Sequence, residues 1–373
     1  MPFEAPACPN WLCRSPLPSL WQAWLPDDFI LRAAVYTALA LALITLLVMV
    51  HVLLLAEVSA RRQRRRQRFN DAWRPYFALC SLSDGAPEHP PLARGQRLWF
   101  VMQWNRTQLQ LRGAARERMN RALQALGLEA YVLGLLRGRV RSRLVGLTCL
   151  RYLAEPRHWD AVQPLVTNRS AIVSLAAAQT LVAMDASRAM QLLLPLATTR
   201  RDWAMPRLSS LCQQAGTQAV TAPILTVLVG AEPSVRQRLV GLLSWAEPRH
   251  AAPWSRARLD DGGTGEELQA ALECLCELGD PRDRERIVRA LRHEDPGVRL
   301  KAIGAFRQQA RATDAEVLLP LLADRSWWVR QATADALAAL PGATPERLER
   351  LLDQVTDRYG QDALRRAIAE MPA

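Results

Sequence analysis

The chain has 373 residues, half of them hydrophobic, which is enough for two ordinary domains or for one elongated array with a sizeable core. Its formal net charge of +12 is confined to the first 151 residues, because residues 152–373 contain 27 basic and 27 acidic side chains. This distribution argues against an array that binds nucleic acid along its whole length, which needs a continuous basic stripe. Lys301 is the only lysine, and the excess of arginine is typical of a GC-rich bacterial genome.

The first predicted element is an uncharged apolar stretch, Ala33–Ala56. Its 24 residues exceed the roughly 20 that span a bilayer core as a helix. We therefore predict a short non-cytoplasmic segment over residues 1–28 and a transmembrane helix over residues 29–58. The alternative is a cleaved signal peptide ending at Ala60. It fits less well, because a signal peptide has a basic leader and about 7–15 apolar residues, whereas this leader is acidic.

A basic juxtamembrane segment and a Pro-rich connector follow, at residues 59–95. Arginines beside a membrane helix mark its cytoplasmic side, so we expect the N-terminus outside and the rest of the chain in the cytoplasm. The side chains expected to contact anionic lipid headgroups are Arg61, Arg62, Arg64, Arg65, Arg66 and Arg68. Trp73, Tyr76 and Phe77 lie beyond this run, and we expect them near the headgroups as well.

The apolar stretch also contains small residues at a regular spacing. Ala34, Ala38 and Ala42 lie on one face of the predicted helix, where small side chains allow a second helix to approach closely. We predict a packing face there, although the same pattern arises by chance in so Ala-rich a span. On the predicted outer side, Cys8 and Cys13 are candidates for a local disulfide.

The rest of the chain repeats a pattern of about 31 residues. Three stretches align without gaps, namely Val162–Val173, Leu193–Ala204 and Leu318–Val329, and each has a proline nine residues before its final residue. That final position, which we call the anchor, recurs every 31–33 residues as Val140, Val173, Ala204, Val235, Glu267, Val298 and Val329. Self-similarity at a fixed period is typical of repeat proteins.

Each anchor is predicted to lie at the start of the second helix of a helical pair. Asp295 and Pro296, which precede Val298, suit an N-cap and a first helical residue. One pair cannot bury its apolar faces alone, whereas stacked pairs share a continuous core. We therefore predict a stack of helical pairs over residues 96–373, with an irregular cap over residues 96–127 and a closing helix over Tyr359–Met371.

In these repeats the chain resembles the HEAT-repeat family, over about residues 130–373 and with seven recognisable units. The resemblance implies an all-α fold, a HEAT-type α-solenoid, here with one N-terminal transmembrane helix. It is specific for the fold and implies little about activity.

The pentapeptide AEPRH occurs twice, at Ala154–His158 and Ala246–His250. Glu, Arg and His within four residues suggest a duplicated catalytic site. However, both copies fall where a second helix leads into the next first helix, and they are about three periods apart. We therefore interpret them as structural turns.

No constellation for catalysis, a cofactor or a metal is apparent. Cys274 and Cys276 are two residues apart on a predicted helix and point in nearly opposite directions, so they cannot share a metal. The Gly-rich loop Asp260–Glu267 lacks the Lys-Ser/Thr of a phosphate-binding loop. We predict a flexible interruption there, after a degenerate first helix at residues 253–259. We expect no enzyme activity, no cofactor and no small-molecule substrate.

Four tryptophans are candidates for partner binding: Trp327, Trp328, Trp203 and Trp254. Trp327 and Trp328 are adjacent, and adjacent helical positions cannot both face one core. Trp203 lies one residue before its anchor, and Trp254 lies in the degenerate unit. Because Trp and Arg dominate the energetics of protein interfaces, we predict partner contacts for these residues. Core packing is the alternative for each of them.

These features predict a membrane-tethered scaffold or adaptor subunit of a bacterial inner-membrane complex. It would bind a protein partner on the cytoplasmic face and contact anionic lipid headgroups, without binding nucleic acid. By analogy with systems that need a cytoplasmic scaffold, we expect an exopolysaccharide synthesis or export machine. The alternatives are a HEAT-like enzyme of the lyase type, for which no tetrapyrrole-binding residues are identifiable, and a membrane-tethered nucleic-acid binder that uses Arg94–Arg151.

Overall fold

The computed structural model describes residues 29–83 and 88–371. This described part is mostly helical and contains no β-strand, which confirms the predicted all-α fold. The described residues divide into two units. The first contains residues 29–79 and 88–91, and the second contains residues 80–83 and 92–371. The predicted outer segment, with Cys8 and Cys13, lies outside the described residues.

The helices are numbered α1 to α19 in chain order. They are α1 (Phe29–Leu82), α2 (Arg97–Gln108), α3 (Ala114–Ala125), α4 (Glu129–Leu135), α5 (Val140–Leu153), α6 (Trp159–Val162), α7 (Ala171–Met184), α8 (Ala186–Thr199), α9 (Met205–Ala215), α10 (Thr217–Gly230), α11 (Pro233–Leu239), α12 (Pro248–Asp261), α13 (Gly265–Leu278), α14 (Arg284–Ala290), α15 (Pro296–Gln308), α16 (Ala315–Leu318), α17 (Trp327–Ala338), α18 (Pro345–Leu352) and α19 (Arg358–Ala369). Short 3-10 helices span Arg94–Gln96, Pro156–His158, Gln163–Thr167, Val240–Trp245, Pro281–Asp283 and Leu319–Ala323.

Helix α1 is much longer than the predicted transmembrane helix. Its 54 residues correspond to about 80 Å at 1.5 Å per residue. The apolar stretch Ala33–Ala56 is exposed along nearly all of its length, and α1 is long and apolar enough to cross a membrane. The predicted boundary at residue 58 is not a helix end. Between Ala33 and Arg74 the chain has neither Gly nor Pro, and Arg and Gln are good helix formers, so the helix continues through the Arg run.

The aromatic residues beyond the Arg run do not form an exposed belt. Trp73, Tyr76 and Phe77 are buried, which corrects the expectation that they lie near lipid headgroups. The Trp73 ring lies edge-on to Tyr76, with 5.3 Å between ring centroids, and is stacked on His89 at 6.2 Å. Within the first unit, this aromatic cluster therefore joins the end of α1 to the connector.

In the second unit, the second helices of the pairs begin where the anchors predict. Helices α5, α7, α9, α11, α13, α15 and α17 each start within two residues of their anchor. The anchors Val173, Val298 and Val329 are fully buried. One period after Val329, the predicted closing helix is α19, and its anchor position is Gly360. A Cβ at Gly360 would overlap the carbonyl oxygen of Leu322, so only glycine fits this close approach.

Helix α15 shows how the sequence builds one of these helices. Asp295 caps its N-terminus, because the Asp295 carboxylate accepts a hydrogen bond of 2.6 Å from the backbone N–H of Gly297. Pro296 occupies the first turn, where the missing N–H costs nothing. The buried face repeats at helical spacing, with Val298, Ala302, Ile303, Ala305 and Phe306. Without the Asp295 carboxylate, the backbone N–H groups of Gly297 and Val298 would lose their hydrogen-bond acceptor.

Ion pairs between neighbouring helical pairs explain why the array is neutral overall. Each joins an arginine to an acid about one period away in the sequence. They are Arg236–Glu267 at 2.7 Å, Arg256–Asp283 at 2.7 Å, Arg284–Asp314 at 2.7 Å and Arg299–Asp324 at 2.7 Å. All four acids are buried or nearly so, and a charge in such a position must be paired. These four arginines are thus engaged within the fold.

The structure contradicts two predictions about the unit that contains Asp260. The first helix is not degenerate, since α12 is regular from Pro248 to Asp261. The Gly-rich loop is not a flexible interruption either. Thr264 caps α13 in a reciprocal capping box with Glu267, and Glu267 is buried against Arg236. The Gly-rich sequence therefore makes a tight, capped turn, with Gly262 at a φ of 86°.

Candidate interaction surface

The tryptophan pair at the start of α17 is the most exposed aromatic feature of the second unit. Trp327 is 53% exposed and Trp328 is 67% exposed. The two rings lie edge to face with centroids 4.6 Å apart, a favoured geometry that holds them against each other. Two adjacent, exposed Trp side chains are unusual on a surface that contacts only water, because Trp is among the residues most enriched at interfaces.

The same chain builds this turn a second time without tryptophan. Residues 168–173 read NRSAIV and residues 324–329 read DRSWWV. In both turns the first side chain accepts a hydrogen bond from the serine N–H two residues on, at 2.9 Å from Asn168 and at 2.8 Å from Asp324. Both turns follow a 3-10 helix, and α7 and α17 begin at the same position of each. The turn therefore does not require Trp327 and Trp328.

A third exposed aromatic lies one period further on. Tyr359, at the start of α19, is 65% exposed. The guanidinium of Arg330 lies over the Tyr359 ring, 5.4 Å from its centroid. Arg330 is three residues after Trp327 and therefore lies on the same side of α17. Trp327, Arg330 and Tyr359 thus form a connected surface across α17 and α19. The sequence analysis missed Tyr359, although its offset of 31 residues from Trp328 was a usable signal.

A groove of about 540 Å³ lies along the second helices α13, α15 and α17. Gly304 lines it, and nothing occupies the space that a Cβ at this residue would take. Trp328, Ala332 and Asp335 are four and three residues apart and so share one face of α17. Ala332 and Asp335 line the groove, and Trp328 lies one helical turn before Ala332 on the same face. The tryptophan pair and the groove are therefore neighbours on α17.

Charged side chains line the groove in nearly balanced numbers. Lys301, the only lysine, forms an ion pair with Glu273 across the groove wall. Asp335 is paired with Arg366. Glu277 and Arg307 also line the groove. Burial raises the pKa of the Cys276 thiol in the same wall, so this thiol stays protonated at neutral pH and is a poor nucleophile.

Trp203 does not lie on the predicted partner surface. It is only 1% exposed, and its indole N–H donates a 3.1 Å hydrogen bond to the Ser174 hydroxyl. The reason is the position of the helix start. Helix α9 begins two residues after Trp203, whereas α17 has already begun at Trp328. Trp203 therefore points into the core, although it has the same offset from its anchor as Trp328. Trp254 is half-buried on α12 and does not join the exposed aromatic surface.

The two AEPRH copies have different environments. His158 is buried 3.6 Å from Glu129, and burial lowers its pKa. His250 in the second copy is mostly exposed, 3.6 Å from Glu247. The first copy forms a 3-10 turn, whereas the second copy opens α12. The copies therefore do not repeat a catalytic geometry. Within residues 29–83 and 88–371, no group of three His, Cys, Asp or Glu side chains is placed to hold a metal ion.

In the first unit, the residues predicted to face the membrane are accessible. Of the six arginines in the run, all but Arg66 are exposed. Arg61 forms an exposed ion pair of 2.8 Å with Glu57, and Arg64 also interacts electrostatically with Glu57. Ala34, Ala38 and Ala42 are exposed on α1. Both predicted sets are therefore free to contact lipid or another helix.

The fold of the second unit defines the chain as an α-helical repeat protein. A family model described as HEAT repeats matches residues 256–338 and 290–371. Residues 256–371 therefore match HEAT repeats, in agreement with the predicted resemblance, and the preceding units continue the same array of helical pairs. HEAT repeats generally mediate protein–protein interaction.

Other comparisons add little. No curated protein matches the chain. Among solved structures, the chain is similar to the crystal structure of an engineered protein, a target of the Northeast Structural Genomics Consortium. The sequence identity is 16% and the TM-score is 0.33, over 73% of this chain and 84% of that chain.

Proposed function

We propose that this protein is a membrane-tethered HEAT-repeat scaffold that docks a protein partner through the surface around Trp327 and Trp328. The observation that carries the proposal is the exposed tryptophan pair at a turn that the same chain also forms with Ala171 and Ile172. Because the fold does not need the two rings, a contact outside the chain is the better explanation of their presence. Trp side chains of this kind contribute about 2 kcal/mol or more each to binding when a partner buries them.

Tethering is supported by the exposed apolar stretch of α1 and by the Arg run that follows it. We place α1 across a bacterial inner membrane, with the N-terminus outside and the HEAT repeats in the cytoplasm. Arg61 to Arg68 would contact anionic headgroups, at about 1 kcal/mol for each arginine near the surface. Protease added to intact spheroplasts tests this orientation. The HEAT repeats should be protected until the membrane is opened, and digestion from outside would contradict it.

The basic start of the second unit supports a position close to anionic lipid. Arg137, Arg139 and Arg141 lie around the turn between α4 and α5, and no described residue forms an ion pair with them, in contrast to the paired arginines of the later repeats. A nucleic-acid partner for the region Arg94–Arg151 is the alternative. Full-length protein in detergent should bind phosphatidylglycerol vesicles and show no salt-dependent binding of a DNA duplex. The reverse result would favour the nucleic-acid binder.

The partner would belong to an envelope complex, and we propose an exopolysaccharide synthesis or export machine as the first candidate. This step rests on analogy with systems that need a scaffold at the cytoplasmic face. We also propose that the chain has no enzyme activity of its own. Turnover of a small molecule by the purified protein alone would refute that statement.

The decisive test is affinity purification from membranes in mild detergent with a matched pair of variants. Trp327→Ala with Trp328→Ile converts the turn into the Ala-Ile sequence that the chain already folds at residues 171–172. Ile172→Ala changes the equivalent exposed position in the other turn and serves as the control. A protein that co-purifies in stoichiometric amount with the wild type and the control should be lost from the double variant. Retention of that protein would refute docking at the pair.

A further inference from the structure

Within the proposed docking function, we infer that the partner presents an acidic segment with apolar side chains to the surface formed by Trp327, Trp328, Tyr359, Arg325 and Arg358. We call this set the aromatic–arginine surface. The inference rests on the proposed function and adds the chemistry of the partner. It follows from which charges at this surface are already neutralised inside the fold and which are not.

The acidic groups of the two turns are already occupied. Asp324 makes two hydrogen bonds, of 2.7 and 2.8 Å, with the guanidinium of Arg299, and it also accepts from the N–H of Ser326. Asp357 caps α19 by accepting a 2.7 Å hydrogen bond from the N–H of Gly360. Asp324 is thus neutralised by Arg299, and Asp357 is used as a helix cap and forms no ion pair with Arg358.

The exposed arginines are therefore uncompensated. Arg325 and Arg358 are exposed, and neither has an ion-pair partner in the part of the chain that the structure describes. They lie two residues before Trp327 and one residue before Tyr359, respectively, so each exposed aromatic is flanked by a free guanidinium. Trp, Tyr and Arg are the residue types most enriched among binding hot spots. A carboxylate accepts two parallel hydrogen bonds from such a guanidinium.

The aromatic part of the surface is held in place before any partner binds. The Arg330 guanidinium donates 2.7 and 3.2 Å hydrogen bonds to the carbonyl oxygens of Asp324 and Arg325, and it lies over the Tyr359 ring. The two indoles lie against each other. Side chains ordered in advance lose less entropy on binding, which favours a specific contact.

The groove on the same face of α17 as Trp328 does not favour a long polyanion. Glu273 is paired with Lys301 and Asp335 with Arg366, and Glu277 and Arg307 also line the groove, so it offers no continuous positive surface to the phosphates of a nucleic-acid strand or of a membrane. A peptide segment, in contrast, can place acidic residues against Arg325 and Arg358 and apolar residues along Ala332 and the open space at Gly304. One unit earlier, Glu294 occupies the position equivalent to Arg325, so the positive surface ends there.

The experiment uses the full-length protein in phosphatidylcholine nanodiscs. A random peptide display library is selected on the wild type, after depletion on the variant that carries Trp327→Ala and Trp328→Ile. Selected peptides should be enriched in Asp and Glu together with Leu, Phe or Trp. Recovery of neutral or basic peptides, or of none, would overturn the inference.

A selected peptide, labelled with fluorescein, is then titrated onto the variants by fluorescence polarisation. Arg325→Glu with Arg358→Glu should weaken binding by roughly tenfold or more, as expected for the loss of charge-assisted hydrogen bonds. The control is Arg169→Glu, which reverses the equivalent exposed arginine of the Ala-Ile turn and should leave affinity unchanged. Equal weakening by both variants would show a general charge effect and refute the specific site.

Two further measurements separate this inference from the docking proposal. A single-stranded oligonucleotide and phosphatidylglycerol vesicles are tested as competitors of the peptide. Competition that disappears in the tryptophan variant would assign the surface to nucleic acid or lipid and overturn the inference. If the co-purifying partner is lost from the tryptophan variant but retained by the double Arg→Glu variant, docking stands and the acidic chemistry is wrong.

Discussion

Replacing Trp327 by Ala and Trp328 by Ile should affect partner binding far more than stability. The exposed fractions of 53% and 67% leave about half of one ring and a third of the other covered. For side chains of up to about 250 Å² each, this is roughly 200 Å² of covered surface. At about 25 cal/mol per Å² the upper limit of the loss is about 5 kcal/mol. Ile restores part of that area and a compact unfolded state reduces it further, so we expect about 2 kcal/mol or less.

The stability loss of the double variant is compared with that of Trp203→Ala. Trp203 is buried, so its removal leaves a cavity and should cost about 3–5 kcal/mol. Urea unfolding of the full-length variants in detergent, followed by circular dichroism at the helix band, measures both losses. For partner binding we expect the opposite order, so that the exposed pair matters more than Trp203. Replacing the pair should cost about 2 kcal/mol or more of binding free energy, which is roughly thirtyfold in affinity. If the exposed pair destabilises the fold as much as Trp203→Ala and the partner still binds, the two rings are structural and the reasoning is refuted.

Three other predictions test the array and its anchor. Arg256→Ala removes the nearer ion-pair partner of the fully buried Asp283 carboxylate, which keeps only Arg286 at 3.5 Å, and should cost up to about 3 kcal/mol by urea unfolding, whereas Lys301→Ala removes only an exposed pair and should cost less than about 1 kcal/mol; equal costs would contradict the role of buried pairs. Because burial lowers the pKa of His158 below 6.5, the unfolded chain takes up this proton first, so stability should fall as the pH drops below about 6.5. His158→Gln should flatten that dependence in unfolding titrations and His250→Gln should not; an unchanged slope would refute the assignment. Changing the six arginines of the run to Gln should place part of the molecules with the HEAT repeats outside, as protease accessibility of spheroplasts would show; unchanged protection would remove the run as the determinant of orientation.

The sequence predicted the second helices well, because their starts depend on local chemistry. The Asp295 cap, the proline at the first turn and the buried anchor are all visible within a few residues, and the observed helices start within two residues of the anchors. The first helices were harder to predict. Pro320 lies in a 3-10 helix, while the aligned Pro195 lies inside the regular helix α8. Proline alone therefore does not decide whether a 3-10 helix or an α-helix forms at this position. Tertiary packing decides it.

The candidate surface was predictable only in part. Trp203 and Trp328 share the same offset from their anchors. Helix α9 begins later relative to its anchor than α17 does, which the repeat period does not reveal, and Trp203 therefore lies in the core. The repeat period points to Tyr359, but its exposure and the absence of an ion pair at Arg325 and Arg358 are visible only in the structure. Burial and pairing depend on contacts between repeats, about 31 residues apart, which a local pattern does not specify.

The most direct test of the central claim, that a membrane-tethered HEAT array grips another protein through the Trp327–Trp328 turn, is site-specific photo-cross-linking in native membranes. A benzoyl-phenylalanine residue is placed at position 328 in one variant and at position 172, the equivalent turn, in the other. We expect a discrete protein adduct from position 328 and none from position 172. Equal adducts at both positions, or an adduct at position 172 alone, would contradict it.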